Sequence, residues 1–248
     1  MIIDSHTHVD EVESWGWFDP PEVLLPLLDQ AQIAKAIIMS CRDASTPSDP
    51  ALQFVKNAVD KYPEWLIGYV RIDAESPHAP EILDLALQEY EFKGVKLHPV
   101  SYVGYPYGEN TIQLIHRASE YQAPVLFHSG DELLSLSQEL AEAARLCPGA
   151  TLILAHMGGY YHCEAAIQAA DHYENIYLDT SGMPYPALIS EAVEHIGSER
   201  VLFGSDGPGC LPELEVENVK LADLQPEAEA NVFSGNILRI LSGVKHSV

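Results

Sequence analysis

At 248 residues the chain suits one (β/α)8 barrel of ~250 residues or two small domains, and its 47% apolar residues supply a substantial core. Thirteen Lys and Arg against 37 Asp and Glu give a formal net charge of −24, which repels phosphate backbones and anionic lipid and argues against a nucleic-acid enzyme. No run approaches the ~20 apolar residues that cross a bilayer, no secretory signal opens the sequence, and four dispersed cysteines without a CxxC pair read as reduced thiols of a cytosolic protein.

In chain order, short β-branched runs predict strands at 2–6, 35–40, 66–72, 93–98, 124–128, 151–156, 175–180 and 200–205. Amphipathic stretches between them predict helices at 50–61, 78–90, 110–121, 132–146 and 186–196. In the fourth of these, Leu133, Leu136, Leu140, Ala143 and Ala144 recur at helical spacing. Asn110 stands where an N-cap belongs, and Pro63, Pro124 and Pro148 follow helix ends. The segment 227–241 reads as a closing helix under the barrel. Runs such as PVLFH and TLILAH are apolar throughout, as in parallel strands covered on both faces. An open doubly wound sheet needs a Gly-rich turn after its first strand, and HTHVDEVES stands there instead. The pattern therefore predicts an α/β fold, a single-domain (β/α)8 TIM barrel over residues 1–248.

Five polar residues end four of the strands. His6 and His8 close IIDSHTH, His128 closes APVLFH, His156 closes TLILAH, and Asp206 ends RVLFGSD. A parallel barrel gathers all such ends at one mouth. Residues i and i+2 of a strand share a face, about 6.5–7 Å apart at Cα, so His6 and His8 can grip one ion. Imidazoles and a carboxylate meeting at one point make a site for a divalent metal, zinc first, with manganese or iron compatible.

The set SHTH, GVKLHP, FHSG, AHMGG and FGSDGP, spread from Asp4 to GNILRIL, resembles the amidohydrolase superfamily. The resemblance is strongest to the amidohydrolase-related branch of aminocarboxymuconate semialdehyde decarboxylase and related small metal-dependent hydrolases. It implies that His6, His8, His128 and Asp206 bind a catalytic metal. It also implies that His156 either binds a second ion or serves as general acid/base beside a metal-activated water. In this superfamily a carbamylated Lys, a Glu or a Cys from strand four bridges two ions. Here Lys96 and His98 share parity and face the interior, with Lys96 deeper than a bridging group should lie. Lys96 reads as a paired structural amine and His98 as a substrate contact, so one metal is expected and a second is the lesser alternative.

Arg71 ends strand three and serves either as a fork for a substrate carboxylate or as an ion-pair partner of Asp73 or another acid. Tyr102, Tyr105, Tyr107, Trp15 and Trp17 sit on loops that overhang the mouth; they enclose an apolar substrate or pack against a second copy of the chain. Gly158 and Gly159 allow close backbone approach or positive φ. The remaining histidines read as ordinary surface or core residues.

These residues describe a hydrolase of a small ester, lactone or amide. Non-oxidative decarboxylation of a small unsaturated or aromatic acid is the alternative, with Arg71 orienting the carboxylate and His156 protonating carbon. A TatD-like deoxyribonuclease is disfavoured by the charge and by the absence of Glu from GVKLHP. A catalytically silent metal-binding barrel is disfavoured by the complete polar set.

Overall fold

The computed structural model describes residues 1–11 and 20–247. Eight parallel strands follow one another around a single sheet in chain order: β1 (Ile2–His8), β2 (Ile33–Met39), β3 (Leu66–Arg71), β4 (Gly94–Leu97), β5 (Val125–Phe127), β6 (Leu152–Leu154), β7 (Ile176–Asp179) and β8 (Val201–Leu202). Backbone bonds from Ser5 N–H to Phe203 O, Asp206 N–H to His6 O and His8 N–H to Gly207 O join the last strand's exit to the first strand. The predicted TIM barrel is therefore the observed fold. Among the described residues no helix is long and apolar enough to cross a membrane.

Two apolar cores follow from the strand alternation. Ile3, Ile37, Tyr69, Leu126, Ile153 and Leu202 point into the barrel and pack together. The alternate residues, such as Ala36, Val70, Val95, Val125, Leu152 and Leu178, pack outward on the surrounding helices. This two-sided burial is why the strands read as continuous apolar runs. The terminal helix Asn236–Ser242 adds Ile237 and Ile240 to the inner cluster, closing the barrel floor as the sequence predicts.

The predicted helices at 50–61 and 186–196 are found at those bounds. The others differ for local reasons. The stretch 132–146 is helical only from Ser137, because Leu134 adopts φ 73° and Leu136 is extended, which leaves Leu133 exposed. The stretch 78–90 is α-helical to Asp84 and π-helical from Leu85 to Glu89. Gly108, not Asn110, caps Glu109–Glu120, and the Asn110 side chain donates to Glu75 instead. The closing segment runs as Pro226–Ala230, a π turn and Asn236–Ser242. Helices Pro21–Gln30, Cys163–His172 and Pro212–Leu221 follow β1, β6 and β8, where the alternating barrel pattern calls for a helix.

Strand ends differ most at the mouth. Strand six stops at Leu154, because Ala155–Gly158 forms a 3-10 turn with His156 and Met157 both left-handed (φ 57° and 47°). Regular pairing of β8 ends at Leu202. These irregular exits carry the candidate functional residues, as is usual for the C-terminal face of a barrel. Trp15 and Trp17 lie outside the described residues.

Candidate metal centre

Alternation along β1 turns His6 and His8 to one face, where both are buried and their Nε2 atoms are 3.2 Å apart. Asp206 leaves β8 at φ 60°, and this left-handed turn aims its carboxylate back at the pair. Asp206 Oδ1 lies 3.1 Å from His8 Nε2 and 3.5 Å from His6 Nε2. Donors held 2.0–2.1 Å from a tetrahedral ion are spaced at ~3.3–3.4 Å. The His6–His8–Asp206 triangle therefore has the dimensions of one face of such a coordination shell.

His6 is oriented from behind. Its Nδ1 lies 2.9 Å from Asp179 Oδ2, so the proton sits on Nδ1 and Nε2 offers its lone pair to the centre. Ser181 donates its backbone N–H (2.8 Å) and its hydroxyl to the other Asp179 oxygen. The Ser181 Oγ stands 3.0 Å from Nδ1 of both His6 and His156. His156 Nδ1 is also 2.9 Å from the Ser181 carbonyl, which only accepts, so that nitrogen carries a proton and Nε2 is turned away from this contact. His6, His156 and Asp206 each offer a ligand atom within 4.8 Å of the others. The spacing leaves His156 slightly outside the tight triangle.

Lys96 is fully buried inside the barrel, and its Nζ reaches His6 Nε2 at 2.9 Å. It is the paired structural amine expected inside the barrel, and its partner is the lone pair a metal would take. Burial and the Lys96 charge bring the His6 pKa down to about 3, and burial brings Lys96 down to about 8. Burial alone would raise Asp206, but the His8 hydrogen bond and the neighbouring His6 and His156 imidazoles hold it well below the usual carboxylate range.

His128 leaves β5 one ring further out. Its ring meets His156 edge-on at 5.1 Å and stacks on His98 at 4.0 Å, while its Nε2 is 3.6 Å from Glu132 Oε2. Burial lowers the His128 pKa to about 4. His98 lies just past β4 and caps the short helix Pro99–Tyr102, its Nδ1 accepting from Ser101 N–H at 3.3 Å. Arg71 is buried, with Nε donating to Asp43 Oδ1 at 2.6 Å and Nη2 to Ser101 Oγ at 3.3 Å. The ion-pair partner is thus Asp43, whereas Asp73 accepts from Glu75 N–H.

A cavity of about 290 Å³ opens above these groups, lined among others by His128, Glu132, His156, Tyr160, Asp206 and Cys210. Asp131 clamps its rim by accepting from the N–H groups of Tyr160 (3.1 Å) and Tyr161 (3.0 Å) and pairing with the His162 ring at 2.7 Å. Gly159 has φ 87°, and a Cβ there would lie 2.8 Å from Gly130 Cα, so the β5 and β6 loops meet only because that position lacks a side chain. Tyr105 and Tyr107 are exposed and do not line this cavity.

Asp179, Ser181, Asp131 and Glu132 were not singled out from the sequence. The first had the same signal as Asp206, a carboxylate at the end of an apolar strand in NIYLDTSG. His162 is no bystander either, since it braces the rim through Asp131.

The donor set fits a divalent metal on its own geometry. Residues 3–242 match the family profile described as amidohydrolase. Among solved structures the chain is similar to an amidohydrolase from Burkholderia multivorans with bound zinc, at 15% identity and TM-score 0.77, covering 98% of this chain and 99% of that one. It is also similar to a dihydroxybenzoic acid decarboxylase from Polaromonas sp. JS666 with bound manganese and 2-nitroresorcinol (18%, TM-score 0.74, 97% and 96% covered). A probable 2-pyrone-4,6-dicarboxylic acid hydrolase from Acinetobacter baumannii with citric acid bound is a third (13%, TM-score 0.71, 97% and 99% covered). No curated protein sequence matches.

Proposed function

The chain belongs to the amidohydrolase family and is an enzyme of it, and from that premise we propose that it hydrolyses a small ester, lactone or amide with one zinc-like divalent ion. His6, His8 and Asp206 hold the ion and His156 carries the proton, while His128, whose Nε2 stands 3.6 Å from Glu132, turns inward to serve as fourth ligand. The observation that carries this reading is the 3.1–3.5 Å triangle of His6, His8 and Asp206, with the His6 lone pair fixed by Asp179. An ion there polarises a carbonyl and makes a water acidic enough to react near neutral pH.

The chain's own residues handle the protons. Asp206, ionised and beside the ion, accepts the proton of the attacking water. His156, whose Nδ1–H is held by the Ser181 carbonyl, presents Nε2 to the cavity, takes that proton from Asp206 and delivers it to the leaving group. The cavity of about 290 Å³ limits the substrate to a small organic molecule. Zinc suits the nitrogen–oxygen donor set first, and manganese or iron fits the same groups. Lys96 against His6 leaves the strand-four side to an amine and supports one ion rather than two. The net charge of −24 favours a free small molecule over nucleic acid or membrane lipid. Four unpaired cysteines support a reducing, cytosolic setting.

Decarboxylation of a small carboxylic acid is the second reading. It is favoured by Arg71, a buried guanidinium whose Nη2 reaches Ser101 beside His98. There Arg71 would have to exchange Asp43 for the substrate carboxylate. Zinc-loaded and chelated protein assayed against lactones, esters and aromatic acids, with acid release and CO2 followed together, tests the two. Metal-dependent acid release without CO2 is the expected result; CO2 release overturns the hydrolytic reading.

A further inference from the structure

We infer that Glu132 sets the charge preference of the cavity, so that its outer wall takes a hydroxyl-bearing or cationic substituent and rejects a carboxylate. This rests on the metal-centred reading above and deepens it by naming the class of substrate.

The cavity has two chemically different ends. Asp206 and His156 line the inner end, and the Asp206 carboxylate leads from it to the buried His6 and His8. The outer wall is built by the chain leaving β5, Ser129 to Glu132. The Glu132 carboxylate lies flat over Gly130, its Oε2 only 2.6 Å from where a Cβ on that glycine would sit. Ser135 Oγ at 3.2 Å and the His128 ring at 3.6 Å hold it in place. A carboxylate, its side chain 58% exposed, thus stands one imidazole beyond the metal end.

Nothing on the wall offsets that charge for an anionic ligand. The described residues lining the cavity include no Lys or Arg, and residues 12–19 and 248 contain none in sequence. The buried cations nearby are committed: Lys96 Nζ to His6, and Arg71 to Asp43. Asp131 is turned to Tyr160, Tyr161 and His162. A substrate carboxylate at the outer wall would meet Glu132 with no counter-charge. A hydroxyl or ammonium there would donate to its oxygens.

Hydroxamic acids, which chelate divalent metals, separate this inference from turnover. The probes are β-alanine hydroxamic acid (ammonium tail), lactohydroxamic acid (hydroxyl tail) and succinic acid monohydroxamate (carboxylate tail). Each is titrated calorimetrically into zinc-loaded wild type and Glu132→Gln, with zinc affinity measured for both proteins. Wild type is expected to bind the ammonium and hydroxyl probes about three- to fivefold more tightly than the carboxylate probe. Glu132→Gln should shrink that gap to less than about twofold when each probe is titrated into the zinc-saturated variant. Equal or tighter binding of the carboxylate probe by wild type, or an unchanged ranking in Glu132→Gln, overturns the inference alone. Failure of all three probes to bind overturns the metal-centred reading and the inference together.

Discussion

Replacing Asp179 by Asn changes one atom and should reverse the role of His6. One Asp179 oxygen accepts the Ser181 backbone N–H at 2.8 Å and faces His156 N–H at 3.3 Å. Two N–H donors at that position fix the amide of an Asn with its oxygen toward them. The NH2 then points at His6 Nδ1, where the carboxylate oxygen stood 2.9 Å away. His6 must accept at Nδ1, so its proton moves to Nε2 and the lone pair leaves the metal centre. Loss of such an orienting carboxylate typically weakens metal binding 10–100-fold, or about 1.4–2.7 kcal/mol. Competitive zinc titration against a chromophoric chelator measures this directly, with circular dichroism confirming an intact barrel. Wild-type zinc affinity in Asp179→Asn would refute the tautomer argument, because a ligand protonated at Nε2 cannot coordinate.

Asp206→Asn should lower turnover by ~10³-fold or more while leaving the circular dichroism spectrum intact. His156→Asn should cost ~10²–10⁴-fold in kcat yet retain the bound metal by elemental analysis, as befits a proton carrier. Lys96→Met removes a buried ammonium beside His6 and should tighten zinc binding at least about tenfold, whereas a carbamylated Lys96 acting as ligand would make the same variant lose metal. The pH dependence of stability has a definite sign. His6 and His128 titrate at about 3 and about 4, and burial depresses His8 and His98 as well, against an ordinary value of 6.5. The unfolded chain takes up those protons first, so stability present above pH 6.5 is lost on acidification, at ~1.4 kcal/mol per pH unit per histidine. Asp4 and Glu215, raised by burial to about 7, work the other way over the same window, but they are two groups against four. Urea midpoints of metal-free protein should therefore fall from pH 7 to pH 5, and a rise would contradict the assigned burial of the histidines.

The barrel was legible because each strand is buried on both faces and so leaves an apolar run, and because helix 50–61 and helix 186–196 begin at prolines in strongly amphipathic segments. Convergence of His6, His8 and Asp206 followed from strand ends alone. What escaped was local geometry at the mouth. His156 turns inward only through the left-handed pair His156–Met157, and no strand pattern encodes that reversal. The helix at 137–146 starts late because Leu134 breaks a periodicity that its neighbours continue. Asp179 was missed although it stands at a strand end as Asp206 does, since its function is to orient His6 rather than to face the cavity. Arg71 had two readings in sequence, and the pairing depended on Asp43, which arrives from the loop after β2.

Crystals grown with zinc and measured at its absorption edge test the central claim most directly. One anomalous peak per chain is expected, ~2.0–2.2 Å from His6 Nε2, His8 Nε2 and an Asp206 oxygen, with Lys96 displaced from His6. A map without that peak, or with the ion bound elsewhere while Lys96 keeps its bond to His6, would contradict the account.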